Sequence, residues 1–236
     1  MLSPAAQEST EPSQMTEDDK PFLLRYPNLD DSEGEVVLTN DHVVLQRLVV
    51  DPGEWEGIHS HPGNQIYVHI KGGEWSGRLG GRSEYSGIVS SDGEVGWMDA
   101  NPLSVEHESG NTGDTPIDLI YVTPKGGAPI APGVEHAPQV YPNMPLEQLL
   151  ENDRMIVQRV QIEPGQWMGI HRHPGNQIYI HIKGCTWSER RQGVQSAPVF
   201  MPAGSVGWVD ALDSGEGHEV GNTGGTTIDL VLVTLK

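Results

Sequence analysis

Cysteine is almost missing. Cys185 is the only one in 236 residues, so no disulfide can form within the chain. Basic side chains are scarce too, with 14 Lys and Arg against 33 Asp and Glu and a formal charge of −19. They are too few and too scattered to build the basic face that a phosphate backbone requires, which argues against a nucleic-acid partner. No apolar run reaches the ~18 residues of a transmembrane span, so no membrane partner is expected. Residues Met1 to Lys20 have neither the basic start nor the apolar stretch of a secretory signal. They read as a disordered acidic tail, with Met15 a second candidate start inside it. A lone thiol and no signal make a cytoplasmic location the expectation. The acidity reads as solubility, with a salt-adapted host as the sharper alternative.

What is abundant is turn chemistry: 29 Gly and 18 Pro punctuate short segments rich in Val and Ile. The stretches VVLQRLVV, QIYVHI and IDLIYVT, and the shorter HSH, read as strands of period two, which argues for an antiparallel sandwich or barrel. The chain also repeats itself. Asn40 to Gly72 aligns without gaps on Asn152 to Gly184, with 21 of 33 positions identical. HPGNQIYVHIKG at His61 returns at His173, VGWMDA at Val95 returns as VGWVDA, and IDLIYVT at Ile117 as IDLVLVT. Two tandem domains follow. The expected division is a tail over 1–20, a first domain over 21–128 and a second over 129–236. The second begins with a Pro-rich linker over 129–151 that ends in a helix-like LEQLLEN.

Eight of the ten histidines are repeated: His59, His61, His69 and His107, then His171, His173, His181 and His218. On a strand, His59 and His61 share a face about 6.5–7 Å apart, close enough for both imidazoles to meet one ion. The Pro62-Gly63-Asn64 turn reverses the chain, and Gln65, Tyr67 and His69 then share one face. Gln65 is placed to join the pair, and His107 completes the set from a distant strand. The second copy repeats this with His171, His173, Gln177 and His218.

These intervals resemble the two cupin motifs. Gly53, His59, His61, Gln65 and Gly72 follow the first, and Gly96, Pro102, Ser104, His107 and Asn111 the second. The second copy offers Gly165, His171, His173, Gln177 and Gly184, then Gly207, Asp213, Gly215, His218 and Asn222. The resemblance covers nearly everything after residue 20. It implies an all-β chain of two tandem cupin barrels (double-stranded β-helix, or jelly-roll) with one divalent transition metal in each. Members that bind oxygen often use iron, so Fe(II) is favoured over Ni, Zn, Mn, Cu or Co. Glutamine stands where the family commonly has a ligating glutamate. A neutral set of three histidines and a glutamine keeps the ion a strong Lewis acid and favours an anionic, chelating substrate. The best-known oxalate chemistry, which needs carboxylates, therefore does not transfer.

Other matched residues have a plain reading and a functional one. His69, His181, Tyr67 and Tyr179 are the catalytic candidates, as proton carriers or hydrogen-bond donors, against simple interior packing. Trp75 and Trp187 fit either packing or the mouth of a pocket for a planar substrate. Arg78 and Arg190 fit a carboxylate clamp or a solvated strand end. Asp99 and Asp210 fit a base or a turn. Glu106 faces Gly217 in the repeat, so it cannot be common to both sites. Three functions remain open, each with a small-molecule partner. They are a non-haem Fe(II) dioxygenase for an enol, diketone or phenol; a redox-neutral isomerase, lyase or cyclase; and a binding or storage protein. Bicupins often assemble further, but no feature fixes a homo-oligomer. Metal analysis should return two ions per chain, falling to one in His59→Ala. An unchanged count would exclude His59 as a ligand.

Overall fold

The computed structural model describes residues 15–27, 34–126, 137–211 and 217–236. Expectations for residues 1–14 and for Asp213 and Gly215 lie outside them. The chain divides at residues 128 and 129 into two compact units. The first unit holds β1 (Glu35–Thr39), β2 (Val43–Val50), β3 (Gln65–Lys71), β4 (Glu74–Leu79), β5 (Arg82–Val89), β6 (Val95–Met98), β7 (His107–Asn111) and β8 (Ile117–Pro124). These make two antiparallel sheets, one in the order β1-β2-β8-β3-β6 and one in the order β5-β4-β7. The second unit holds β9 (Glu147–Glu151), β10 (Met155–Ile162), β11 (Gln177–His181), β12 (Cys185–Arg191), β13 (Val194–Gln195), β14 (Val199–Met201), β15 (Val206–Val209), β16 (His218–Asn222) and β17 (Ile228–Leu235). Its sheets run β15-β11-β17-β10-β9 and β13-β12-β14, with β16 on β12. Each unit is thus an all-β jelly roll with the same strand plan.

The long strands are buried on both faces, so their runs are nearly continuous in apolar residues rather than strictly alternating. All eight residues of β17 are buried, and β2 leaves only Arg47 and Val49 outside its buried set. Inside the first barrel Leu48, Val50, Trp75, Ile117 and Leu119 pack together; inside the second, Val160, Ile162, Met168, Ile228 and Leu230 do. A fully buried Val, Leu or Ile is worth about 1.5–3 kcal/mol.

Matched polar residues pin the frame. Arg47 forks onto Asp118 at 2.9 and 2.6 Å, and Arg159 onto Asp229 at 2.8 and 2.9 Å. Beside them, Gln46 accepts from the Leu24 amide at 3.0 Å and Gln158 from the Gln139 amide at 2.7 Å. Each barrel therefore ties an N-terminal arm across its second long strand. Asn111 and Asn222 close the last turn of their barrels by donating to Val50 and Thr115, and to Ile162 and Thr226.

Two sequence expectations are corrected. Residues 15–20 belong to ordered structure: Glu17–Phe22 is a 3₁₀ helix, and Asp19 is buried. Burial pushes the Asp19 carboxyl up, but Lys125 and hydrogen bonds from Thr16 and Thr39 outweigh it and hold it near 2. LEQLLEN is not helical. Its Glu147–Glu151 is the edge strand β9, paired with β10. A segment this short cannot nucleate a helix alone, while a sheet edge satisfies its backbone at once.

Close approach explains four of the matched glycines. Tyr67 pairs across the ladder with Gly96, and a Cβ there would meet the phenol ring at 2.0 Å. Gly207 stands in the same relation to Tyr179, also at 2.0 Å. Gly110 and Gly221 likewise lie under Trp55 and Trp167. Gly96→Ala should destabilise the protein by about 1–3 kcal/mol, the usual cost of overpacking a closed interior. Chemical denaturation measures it, and an unchanged midpoint would mean that Tyr67 moves aside freely.

Candidate metal centre

The histidine pair does not stand on a continuous strand, as HSH suggested. His59 and His61 lie instead in isolated bridges, to His107 and to Asn101 respectively, while Ser60 bridges Arg25 on the arm. The backbone therefore delivers the third histidine directly: the His59 amide donates to the His107 carbonyl at 3.0 Å. In the second barrel His171 and His218 exchange both bonds, at 2.9 and 3.1 Å. In each trio the ligand atoms lie within 4.8 Å of one another, and all six rings are buried. His59 Nε2 is 3.1 Å from His61 Nε2, and His173 Nε2 is 2.7 Å from His218 Nε2.

Neighbouring acceptors fix which nitrogen faces inward. His59 Nδ1 donates to the Gly57 carbonyl and His171 Nδ1 to the Gly169 carbonyl, both at 2.9 Å. His61 Nδ1 donates to Gln65 Oε1 at 2.9 Å, and His173 Nδ1 to Gln177 Oε1 at 2.6 Å. The proton is thereby held on Nδ1, and the Nε2 lone pair points to the centre. Burial, reinforced by repulsion from His61, pushes His59 down to about 3. Burial, with repulsion from His107, lowers His61 to about 4 against the opposing Gln65 bond; His171 and His173 fall to about 3 and 4, again chiefly through burial with repulsion from neighbouring histidines. Buried imidazoles that converge within 4.8 Å are the donor set a divalent transition metal takes, so both trios fit one.

Gln65 and Gln177, expected as ligands, occupy a different place. Each amide oxygen is spent on a histidine Nδ1, and each amide nitrogen donates outward, to Thr123 at 2.8 Å and to Thr234 at 2.9 Å. They sit behind the ligands and aim them. Arg78 and Arg190 are not clamps: they lie over Trp55 and Trp167 at 3.5 and 3.4 Å from the ring centres. Asp99 and Asp210 accept the indole N–H of Trp97 and Trp208 at 2.9 and 2.8 Å.

The sequence reading also missed residues, because it looked for what the copies share. Glu56 is fully buried, with Oε2 3.5 Å from His59 Nε2. Its counterpart is Met168. Glu189 accepts from His218 Nδ1 at 2.5 Å and from Arg191 at 2.7 Å; its counterpart is Gly77. Each site thus has a nearby carboxylate, but from a different position in the repeat. Two tyrosines on the arms were missed as well. Tyr26 packs on His59 with ring centres 5.5 Å apart, and Tyr141 on His171 at 4.5 Å. The shared Tyr-Pro-Asn at 26–28 and 141–143 is the signal that marks them.

The barrels differ most in their cavities. The first trio opens on a cavity of about 590 Å³, lined by His61 and His107 together with Tyr67, His69, Trp75 and Tyr121. The second faces a largely apolar pocket of about 50 Å³, which Tyr179, His181 and Trp187 also line. His69 and Trp75 lie with ring centres 5.5 Å apart. Buried, His69 Nδ1 and Trp75 Nε1 have no hydrogen-bond partner among the described residues. His181 differs, its Nδ1 meeting the Cys185 thiol at 3.2 Å.

The sequence matches no family model and no curated protein. Solved structures match the fold. AerE from Microcystis aeruginosa superimposes with a TM-score of 0.57 at 15% identity, over 86% of this chain and 97% of that one. A cupin 2 conserved barrel domain protein from Leptotrichia buccalis gives 0.50 at 16%, over 87% and 91%. A salicylate 1,2-dioxygenase from Pseudaminobacter salicylatoxidans gives 0.50 at 12%, over 82% and 71%. At these identities the likeness establishes the fold: two cupin barrels in one chain. Among the described residues, no helix is long and apolar enough to cross a membrane.

The depressed histidines set an acid limit. Their folded values lie below the ordinary 6.5, so the unfolded chain binds more protons between about 6.5 and 3. Stability is then full above pH 6.5 and is lost as pH falls toward the folded values. The melting temperature of metal-free protein should drop steadily from pH 7 to pH 4.5. A flat profile across that range would contradict buried neutral histidines.

Proposed function

With the cupin fold as premise, we propose that this protein is a metal-dependent enzyme for a small organic substrate. We assign it as a non-haem Fe(II) dioxygenase acting on an enol, diketone or phenolic carboxylate, with turnover in the first barrel. The observation that carries this reading is the 590 Å³ cavity onto which the first histidine trio opens. That volume lies within the range of pockets that enclose small ligands, ~300–1,000 Å³. The second pocket, about 50 Å³, has room for little more than a water or a diatomic molecule.

His59, His61 and His107 would hold iron(II), which when bound would supply oxygen activation and Lewis-acid polarisation of a substrate oxygen. The chain's residues do the rest. Gln65 and the Gly57 carbonyl hold the imidazoles in register, and Thr123 holds Gln65. Tyr67, Trp75 and Tyr121 offer flat walls for a planar substrate. Trp75 Nε1 and His69 Nδ1 are open positions for a substrate oxygen. Burial keeps His69 neutral at pH 7 and raises the Tyr67 phenol, so either can donate a hydrogen bond without carrying charge. The salicylate 1,2-dioxygenase of the same fold acts, by its name, on a phenolic carboxylate of this class.

One observation favours the redox-neutral reading. A neutral imidazole in the cavity, His69, is the group that an isomerase or lyase needs to relay a proton. Oxygen decides between the two. Protein loaded with Fe(II) should consume oxygen with one of a panel of diketones, catechols, flavonols and salicylate, and show no turnover under argon. Turnover under argon, or with Zn in place of iron, would replace the dioxygenase by the redox-neutral enzyme. Trp75→Phe keeps an aromatic wall but removes the indole N–H along with the five-membered ring. It should raise KM about 5–30-fold, the worth of one hydrogen bond of ~1–2 kcal/mol.

A further inference from the structure

The two barrels place the same backbone and the same histidines around their centres, yet they exchange two side chains. The Glu56 amide donates to the Ser109 carbonyl at 2.8 Å, and the Met168 amide to the Val220 carbonyl at 2.9 Å. The two residues are therefore structurally equivalent. Met168 points into the barrel, where it belongs to the apolar interior and lines the small pocket. Glu56 points the same way, is 3% exposed, and brings Oε2 to 3.5 Å from the inward nitrogen of His59. On the other side of the trio the exchange runs in reverse. The second barrel has Glu189, bonded to the outward nitrogen of His218. The first has Gly77, and the ring of Tyr85 lies where a side chain would begin, 2.2 Å from a Cβ built there.

We propose that Glu56 is a ligand of the first barrel's metal, giving that centre three imidazoles and one carboxylate from the chain. The second centre takes only imidazoles from the chain and keeps its carboxylate, Glu189, one hydrogen bond behind a ligand. The inference rests on the metal-dependent reading above. It supplies, from three residues before the first histidine, the negative donor that Gln65 does not provide.

The physical consequence is a difference in charge on the ion. A carboxylate in direct contact neutralises half the charge of a dication, whereas one placed behind an imidazole polarises it without reducing the donor set's neutrality. The first centre should bind divalent metal more tightly and present a weaker Lewis acid to its open cavity. The second should hold a more electrophilic ion in a closed apolar pocket.

Cobalt(II) titration of the full-length metal-free protein, with a competing chelator and the visible spectrum of the bound ion as readouts, tests this. Wild type should show two classes of site. Glu56→Gln and Glu56→Met should each weaken one class by more than about 100-fold and change its spectrum, leaving the other class intact. Loss on that scale exceeds the roughly 10–100-fold typical of residues behind a ligand. Glu189→Gln should weaken the other class within that smaller range and leave its spectrum in place. Glu56→Met installs the side chain the second barrel already packs at this position, and circular dichroism of the metal-free variant checks its fold. If both Glu56 variants fold and keep both dissociation constants within 100-fold with unchanged spectra, Glu56 is not a ligand. If wild type binds no cobalt at all, the metal-dependent reading itself fails, a result distinct from the first.

Discussion

Everything at the centre of each barrel depends on burying three imidazoles side by side. Three positive rings within 4.8 Å of one another would repel in a medium that screens poorly. Burial holds the first two rings of each trio neutral, and fixed acceptors set which nitrogen faces away: the Gly57 and Gly169 carbonyls, the Gln65 and Gln177 amides, and in one case the Glu189 carboxylate. Those acceptors explain much of the surrounding order. Thr123 and Thr234 exist to orient an amide, the arms cover the first histidine of each trio with a tyrosine, and a bridge between two histidine backbones brings the third ring in. The frame that carries these parts is conventional by comparison, two sheets of buried aliphatics cross-tied by Arg–Asp forks.

Duplication kept the aiming devices and let the charges drift. Glutamines, threonines, glycines under aromatic rings and arginine–tryptophan stacks occur in both barrels at the same places. The carboxylates do not. Glu56 faces Met168 across the repeat and Glu189 faces Gly77, so the carboxylate close to each trio comes from a different place: Glu56 beside His59, with Glu84 3.9 Å from His107, in the first, and Glu189 on His218 in the second. Space has followed charge. Where the second barrel places Glu189 and Arg191 in a hydrogen-bonded pair, the first has Gly77 and Leu79. The first barrel holds a substrate-sized cavity and the second a space for one small molecule. Two copies of one fold have become a pair of unequal sites by exchanging few residues.

Several parts of this were legible from the sequence because they depend on local spacing. The strands over Val43–Val50 and Ile117–Pro124, the repeat, the six histidines and the tryptophans at pocket walls all follow from patterns a few residues long. The failures have a common form. LEQLLEN carries good helix formers, but an available sheet edge overrode propensity. Asp19 sits in an acidic segment that reads as a tail, but Lys125, more than 100 residues away, anchors it. Gln65 has the motif position of a ligand, but its oxygen is consumed by His61 four residues earlier.

The sequence by itself determined the class of the fold, its duplication and the identity of the six histidines that meet at the barrel centres, because periodicity and repeated spacing are properties of the chain alone. Tertiary structure decided which groups act on those rings. Whether an amide binds a metal or aims a histidine, and whether a glutamate three residues upstream faces the centre, depends on directions set by sheets that close over long sequence distances. The difference between the two cavities likewise comes from side chains meeting across the barrel, and no linear pattern records how much space they leave.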